Sequence, residues 1–272
     1  MKAKALLVSV LSMVMGQAGT LMASSEELKT MEMDGMRVTW LQDMAASHSR
    51  SIFPDASDAL MDSLGLRDGV PSSMSAFLVE KDGKQILFDS GVGGEKSRLL
   101  ALLDSMGVAP ADVDYVCVTH FHGDHIGGML NGGDAAFPNA VVYASRLEYE
   151  GWMSMPSGQK AQVVKTMDAY GNRVRLFEFG DTLPCGIVAI DAVGHTPGHT
   201  VFQIDNLLIV GDILHGVALQ LQNPDICASY DMDKEVAIAS RKRILRRAKA
   251  NGLIMGGMHF PAPGFIDLNA SR

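Results

Sequence analysis

Cysteine is scarce in this chain, with three in 272 residues. An odd number cannot all pair internally, and the spacing of Cys117, Cys185 and Cys227 matches no zinc motif. Neither a disulfide framework nor a thiolate metal site is therefore expected to organise the fold. Cys117, in the apolar run Tyr115-Val116-Cys117-Val118, reads as a buried, inert thiol. A Cys185–Cys227 bridge is the pairing open to an exported chain. Basic charge is also in deficit: 23 Lys and Arg stand against 31 Asp and Glu, a net charge of −8. Phosphate contacts need a basic surface, so a nucleic-acid partner is not expected. Internal repeats, low-complexity tracts and Pro/Gly/Ser-rich linkers are absent, which leaves one domain over residues 24–272. What is present is a packed globular composition, 47% hydrophobic and 20% charged, with 18 Met as adaptable core filler.

The N-terminus has its own layout. Lys2 and Lys4 precede the uncharged apolar run Ala5 to Met15, and small residues lead to Ala23 ahead of Ser24-Ser25-Glu26-Glu27. That is the three-part pattern of a secretory signal peptide, too short to span a bilayer comfortably. Residues 1–23 are expected to be removed. The mature protein is then periplasmic or secreted, with no stable membrane partner.

Thr119-His120-Phe121-His122-Gly123-Asp124-His125 carries the chemistry. Three of the chain's 8 His fall inside it, together with one carboxylate. Neutral imidazoles with a carboxylate suit Zn²⁺. His120 and His122, two apart, can turn both rings to one ion, and Asp124 and His125 are too crowded to join them there. Two metals are the economical reading. Gly123 is expected at a tight turn.

Around this loop the pattern alternates strands and helices. A hairpin is expected over 75–79 and 85–88, a helix over 96–106, and a strand over 113–118 that delivers the His-rich loop. Further strands fall at 140–144, 187–192, 201–204, 207–210 and 253–256. Helices fall at 157–170 and 234–250, the latter with Asp233 as N-cap and Gly252 past its end. Residues 42–73 form the least regular stretch and could cover a site.

Two metals need more ligands, and three later strands end in Gly plus a ligand-type side chain. They are Gly194-His195-Thr196-Pro197-Gly198-His199-Thr200, Gly211-Asp212 and Gly257-Met258-His259. In this order the segments resemble the metallo-β-lactamase superfamily signature. The resemblance implies an α/β fold, a four-layer αββα sandwich with two mixed sheets and the metals at one edge. It implies His120, His122 and His199 on one metal, Asp124, His125 and His259 on the other, and Asp212 bridging both. His195 is then a supporting hydrogen-bond partner rather than a ligand. It also implies two divalent ions, most simply Zn²⁺, sharing a hydroxide that attacks an electrophilic carbonyl or phosphoryl centre, with Asp124 orienting it.

Zinc β-lactamases of the superfamily lack a bridging carboxylate, so Asp212 argues against β-lactams. Glyoxalase II-like thioesterases add a basic C-terminal region, whereas this chain runs only from His259 to Arg272. Ser75-Ala76-Phe77-Leu78-Val79, Ala136-Phe137-Pro138-Asn139-Ala140, Gln220-Leu221-Gln222-Asn223-Pro224 and Ser240-Arg241-Lys242-Arg243 are similar to the branch holding methyl parathion hydrolase-type phosphotriesterases and N-acyl-homoserine lactonases, as is the ending His259-Phe260-Pro261-Ala262-Pro263-Gly264. The expected activity is hydrolysis of a small-molecule ester, lactone or phosphotriester. A non-hydrolytic metal-binding or redox member is the alternative from another class. His215 stands where lactonases carry a Tyr and is a candidate acid for a leaving group. Trp40, Phe53, Phe121, Trp152 and Phe260 are candidate pocket walls, Phe121 and Phe260 foremost because they neighbour ligands.

Overall fold

The computed structural model describes residues 27–270. The expected signal peptide at 1–23 lies outside the described residues. The chain opens with antiparallel strands β1 (Leu28–Met33), β2 (Met36–His48), β3 (Val70–Lys81) and β4 (Lys84–Phe88), each paired with the next. Between β2 and β3 lies α1 (Asp58–Ser63), and after β4 comes α2 (Leu99–Ser105). β5 (Tyr115–Cys117) pairs parallel to β4 and is followed by the one-turn α3 (Gly123–Ile126). β6 (Leu130–Asn131) and β7 (Asp134–Ala135) make a separate small hairpin. β8 (Val141–Ser145) leads through α4 (Arg146–Ser154) and α5 (Ser157–Tyr170) to β9 (Val174–Phe177), completing a 7-stranded sheet in the order β1-β2-β3-β4-β5-β8-β9.

A 6-stranded sheet follows, built from β10 (Thr182–Leu183), β11 (Ile187–Asp191), β12 (Thr200–Ile204), β13 (Leu207–Ile209), β14 (Ile254–Gly256) and β15 (Phe265–Asp267) in that order. Only β13 and β14 are parallel, joined through α6 (Val217–Gln222) and α7 (Lys234–Asn251). α7 starts where Asp233 accepts the Val236 N–H and stops at Gly252, in the left-handed conformation at φ 62°.

Both sheets are buried on two faces. In β3, Ala76 and Leu78 pack outward with Leu102 and Leu103 of α2 and Val163 and Met167 of α5. Phe77 and Val79 face the other way, into a core shared with Ile187, Phe202 and Ile209 of the second sheet. The outer face of that sheet, with Val201, Leu208 and Met255, packs on Ile244 and Ala248 of α7. This is the expected four-layer αββα sandwich. Strands covered on both faces lose alternation and read as continuous apolar runs, which is why they stand out in the sequence.

The structure departs from the sequence reading in several places. Residues 42–73 are not a bare loop. β2 and β3 extend beyond a register shift between Gln42 and Met44, pairing as far as His48 and Val70. The segment between them carries a small core of its own, with Phe53, Met61 and Leu66 packed near Leu219 and Ile226. All three cysteines are free, so the Cys185–Cys227 bridge does not form. Cys227 is buried near Arg241, while Cys185 lies by Lys81 at the far end of β3. Among the described residues, no helix is long and apolar enough to cross a membrane.

Candidate metal centre

Every ligand-type residue singled out in the sequence follows the end of a strand or the turn beyond it. β5 leads to His120, β11 to His195, β13 to Asp212 and β14 to His259. The parallel pairs β4–β5 and β13–β14 point their C-terminal ends to one edge, which gathers residues far apart in the chain. Gly211 makes this possible at φ 54°. A Cβ there would collide with Nε2 of His199, so only glycine lets the backbone pass that ring. Gly123 has no such duty: it opens α3 outside the left-handed region, against the Gln162 side chain. The expected tight turn there is instead a helix start.

The centre is a carboxylate ringed by imidazoles. Asp212 lies 3.1 Å from Nε2 of His125 and of His259, 3.2 Å from those of His195 and His215, and 3.6 Å from that of His120. Nε2 of His120, Nδ1 of His122 and Nε2 of His195 form a triangle with edges of 3.0, 3.0 and 3.2 Å. Asp124 is 3.4 Å from His259 and 3.8 Å from His125, on the more open side. Two separate groups, His120, His122, His195 and Asp212 and then Asp124, His125 and His259, are linked by two more that overlap them, Asp212, His215 and His259 and His195, His215 and Asp231.

The position of His195 corrects the sequence reading. His199, expected as a ligand, spends both ring nitrogens on the backbone. Its Nδ1 lies 3.0 Å from the Ala192 carbonyl, and its Nε2 accepts the Asp212 N–H at 3.0 Å. No lone pair is left for a metal. His199 instead fixes the peptide that carries Asp212, while His195, expected in the supporting role, enters the cluster. The structure thus brings His195, rather than His199, into the ring of imidazoles. Phe121 and Phe260 also differ from expectation: both are core residues, as are Trp40 and Phe53. Of the five aromatics, Trp152 alone stands against the cluster, its ring 5.7 Å from that of His122.

Buried carboxylates that the sequence reading gave no role at the site hold the cluster in place. Asp231 lies 2.9 Å from Nδ1 of His195 and accepts a hydrogen bond from the buried Arg241 at 3.0 Å. Asp89 approaches Nδ1 of His125 at 2.6 Å and accepts the Thr119 N–H and Oγ1–H at 2.7 Å each. Ser73 O faces Nδ1 of His259 at 2.8 Å. Such partners orient an imidazole and raise its basicity. Glu148 ties the two His-bearing loops together, accepting from Phe121 N, Thr196 Oγ1, Gly198 N and Trp152 Nε1. Asp43, at the register shift in β2, accepts from Val92 N, Ser97 Oγ, Arg98 N and Leu99 N. A single acid at such a position gives little local signal, because most of its partners are 27 to 56 residues away.

The donor set fits a cation. Nε2 of His125 and Oδ1 of Asp212 are buried and lack an aligned hydrogen bond, although they are 3.1 Å apart. Two buried acceptor-type atoms this close, without an aligned hydrogen bond, suit a shared cation. Tetrahedral zinc with nitrogen ligands at 2.0–2.1 Å separates them by about 3.3 Å, close to the edges of the His120–His122–His195 triangle. Without a cation the cluster must hold protons. Burial would lower the His195 pKa, yet Asp212 and Asp231 push it up to about 9. His125 is likewise raised by Asp212, Asp124 and Asp89 against the cost of burial. Burial and the neighbouring His195 pull His122 down to about 3. Although burial works against it, the imidazoles keep Asp212 ionised, led by His125 and His259. The cleft over the cluster has a volume of about 360 Å³ and is lined in part by His48, Met74, Gly123 and Tyr230. His215 lines it too, stacked on His259 at 5.1 Å.

Residues 69–251 match the family model of the metallo-beta-lactamase superfamily. The chain belongs to that superfamily. Among solved structures it resembles AbOPH, a hydrolase in the beta-lactamase superfamily, with a TM-score of 0.82, 26% identity, and coverage of 92% of this chain and 96% of that one. AidC, a dizinc quorum-quenching lactonase, superposes with a TM-score of 0.82 at 24% identity, covering 91% of this chain and 95% of that one. An N-acyl homoserine lactonase from a Bacillus species is 27% identical over 155 residues, 55% of this chain and 57% of the relative. The chain spans 21% to 57% of the length of the first curated relatives it matches.

Proposed function

We propose that this metallo-beta-lactamase-superfamily chain is a dinuclear, zinc-dependent hydrolase of small esters, lactones or phosphotriesters. The observation that carries the reading is Asp212, one carboxylate within 3.6 Å of five imidazoles at the floor of an open cleft. His120, His122 and His195 would hold one ion, Asp124, His125 and His259 the other, with Asp212 shared. AbOPH and AidC, named as a hydrolase and a dizinc lactonase, support it.

Bound divalent metals would supply a nucleophilic hydroxide at neutral pH and polarise the oxygen that gains charge. The chain's own residues do the rest. Asp124, its side chain 27% exposed, lines the cleft as a carboxylate and is placed to accept a hydrogen bond that orients the nucleophile. Asp231 and Asp89 fix the rings of His195 and His125. Among the described residues the His215 ring nitrogens make no aligned hydrogen bond, although Nε2 lies 3.2 Å from Asp212, and from the cleft wall the ring can give a proton to a leaving group. Residues 24–272 would act as one domain, exported under the signal at 1–23. N-terminal sequencing of the protein from its native cells should begin near Ser24, and an intact Met1 would reject export by cleavage.

The test is metal content together with a substrate panel. The wild type should hold about two metals per chain and turn over an aryl ester, a lactone or a phosphotriester. His195→Ala should lose metal and at least about a hundredfold in turnover. His199→Ala should retain metal better and lose about 1–3 kcal/mol of stability, because the buried Asp212 N–H loses its acceptor. The reverse ranking of the two variants in metal content would reject the exchange of roles.

A further inference from the structure

α7 carries a charge in the middle of its buried stripe. Ala237, Arg241, Ile244 and Ala248 recur at helical spacing, and all four are buried. Arg241 is 1% exposed, and an arginine is almost never so buried unless its donors are taken up. Here Nε donates to the Ile213 carbonyl at 2.8 Å and Nη1 to those of Pro224 and Ile226 at 2.9 and 3.1 Å. Nη2 donates to Asp231 at 3.0 Å.

Two of these bonds lead into the cluster. Ile213 follows Asp212 in the chain, so its carbonyl belongs to the turn that carries the shared carboxylate. Asp231 receives Nη2 on Oδ2 and faces Nδ1 of His195 with Oδ1 at 2.9 Å. One guanidinium therefore holds the backbone beside Asp212 and, through Asp231, the ring of His195. Neighbouring residues of α7 grip the same loop. Ser240 Oγ donates to the Val193 carbonyl at 2.7 Å, and Asp233 N to that of Gly194 at 2.8 Å. A Cβ on Gly194 would strike the Ala237 backbone.

The second group of ligand-type residues is anchored elsewhere. Nδ1 of His125 faces Asp89, just beyond β4, and Nδ1 of His259 faces the Ser73 carbonyl in β3. The two halves of the centre thus rest on different layers, His195 on α7 and the His125–His259 pair on the first sheet.

We propose that Arg241 is a positioning residue for the ion held by His120, His122 and His195, and that through it this ion can be weakened separately from its neighbour. Given the dinuclear reading above, the two positions are then independently supported. Lysine is no substitute, because a single ammonium cannot span the Ile213 carbonyl and Asp231 as a planar fork does. Without the fork, Asp231 no longer holds the His195 ring in one orientation. Affinity at that position should fall by about ten- to a hundredfold.

The test is a zinc titration of the full-length protein against a chromophoric chelator, with the absorption of cobalt-substituted protein as a second readout. The wild type should bind two ions tightly. Arg241→Lys should keep one and weaken the other about ten- to a hundredfold, and part of the cobalt spectrum should change. Asp231→Asn, which keeps the side chain's shape, should do the same and decides the matter if Arg241→Lys does not fold. The two changes combined should weaken that ion no more than either alone, because they act through one contact. Asp231→Asn combined with Asp89→Asn should weaken both ions. Equal weakening of both ions by Arg241→Lys, additive effects with Asp231→Asn, or wild-type affinities in the folded variants would overturn the proposal. A wild type that binds a single ion overturns the dinuclear reading instead.

Discussion

Asp212→Asn is expected to strip metal from the protein and to lower turnover by at least about a thousandfold. The substitution keeps the shape and removes one negative charge from among five imidazoles. Breaking one side of a buried charge cluster costs about 3–5 kcal/mol, or about two to four powers of ten in an equilibrium constant at 1.4 kcal/mol per tenfold. The loss falls on metal affinity first, because both groups of ligand-type residues converge on this carboxylate. An asparagine amide would also point donors at ring nitrogens that should be coordinating. Dialysed protein analysed for metal should show less than half the wild-type content, with an unchanged far-ultraviolet circular dichroism spectrum. Wild-type metal content in a folded Asp212→Asn protein would remove Asp212 from the ligand set.

Glu148→Gln should be the most destabilising isosteric change outside the cluster. The Glu148 carboxylate is 1% exposed and accepts four hydrogen bonds, two from each His-bearing loop or the helix beside it. Burial pushes its pKa up against those donors. Gln replaces one acceptor oxygen with an NH₂ group, which faces donors it cannot satisfy. The expected cost is about 3–5 kcal/mol, a fall in Tm of about 6–20 °C for a chain of this size. The loop holding His120 and His122 should loosen from that holding His195, so metal should be released at lower chelator concentration. A Tm within 2 °C of wild type would show that the four hydrogen bonds contribute little.

Much of this molecule was legible from the sequence. Apolar runs ending in glycine and a ligand-type side chain marked strand ends, and their order marked the superfamily. α5 was predicted over its observed span, 157–170, and α7 ended within one residue of expectation. The first hairpin, β1 with β2, escaped notice because β1 is half-exposed and its side chains do not alternate cleanly. α4 was missed because its buried residues include Glu148, a charge where the helical pattern expects an apolar side chain.

By itself, the sequence marked most strands and helices by periodicity and several strand ends by Gly followed by a ligand-type side chain, and the order of those segments, through its resemblance to the superfamily, implied the sandwich and the edge where they gather. Tertiary structure alone placed His195 in the cluster and His199 behind it, although the two are four residues apart in one loop and chemically identical. Asp231, 36 residues beyond His195, takes that ring's Nδ1 and points its Nε2 at Asp212. The Ala192 carbonyl and the Asp212 N–H consume both nitrogens of His199. A histidine can serve a metal only with a free lone pair. Which lone pair stays free depends on hydrogen bonds made by residues that spacing along the chain does not reveal.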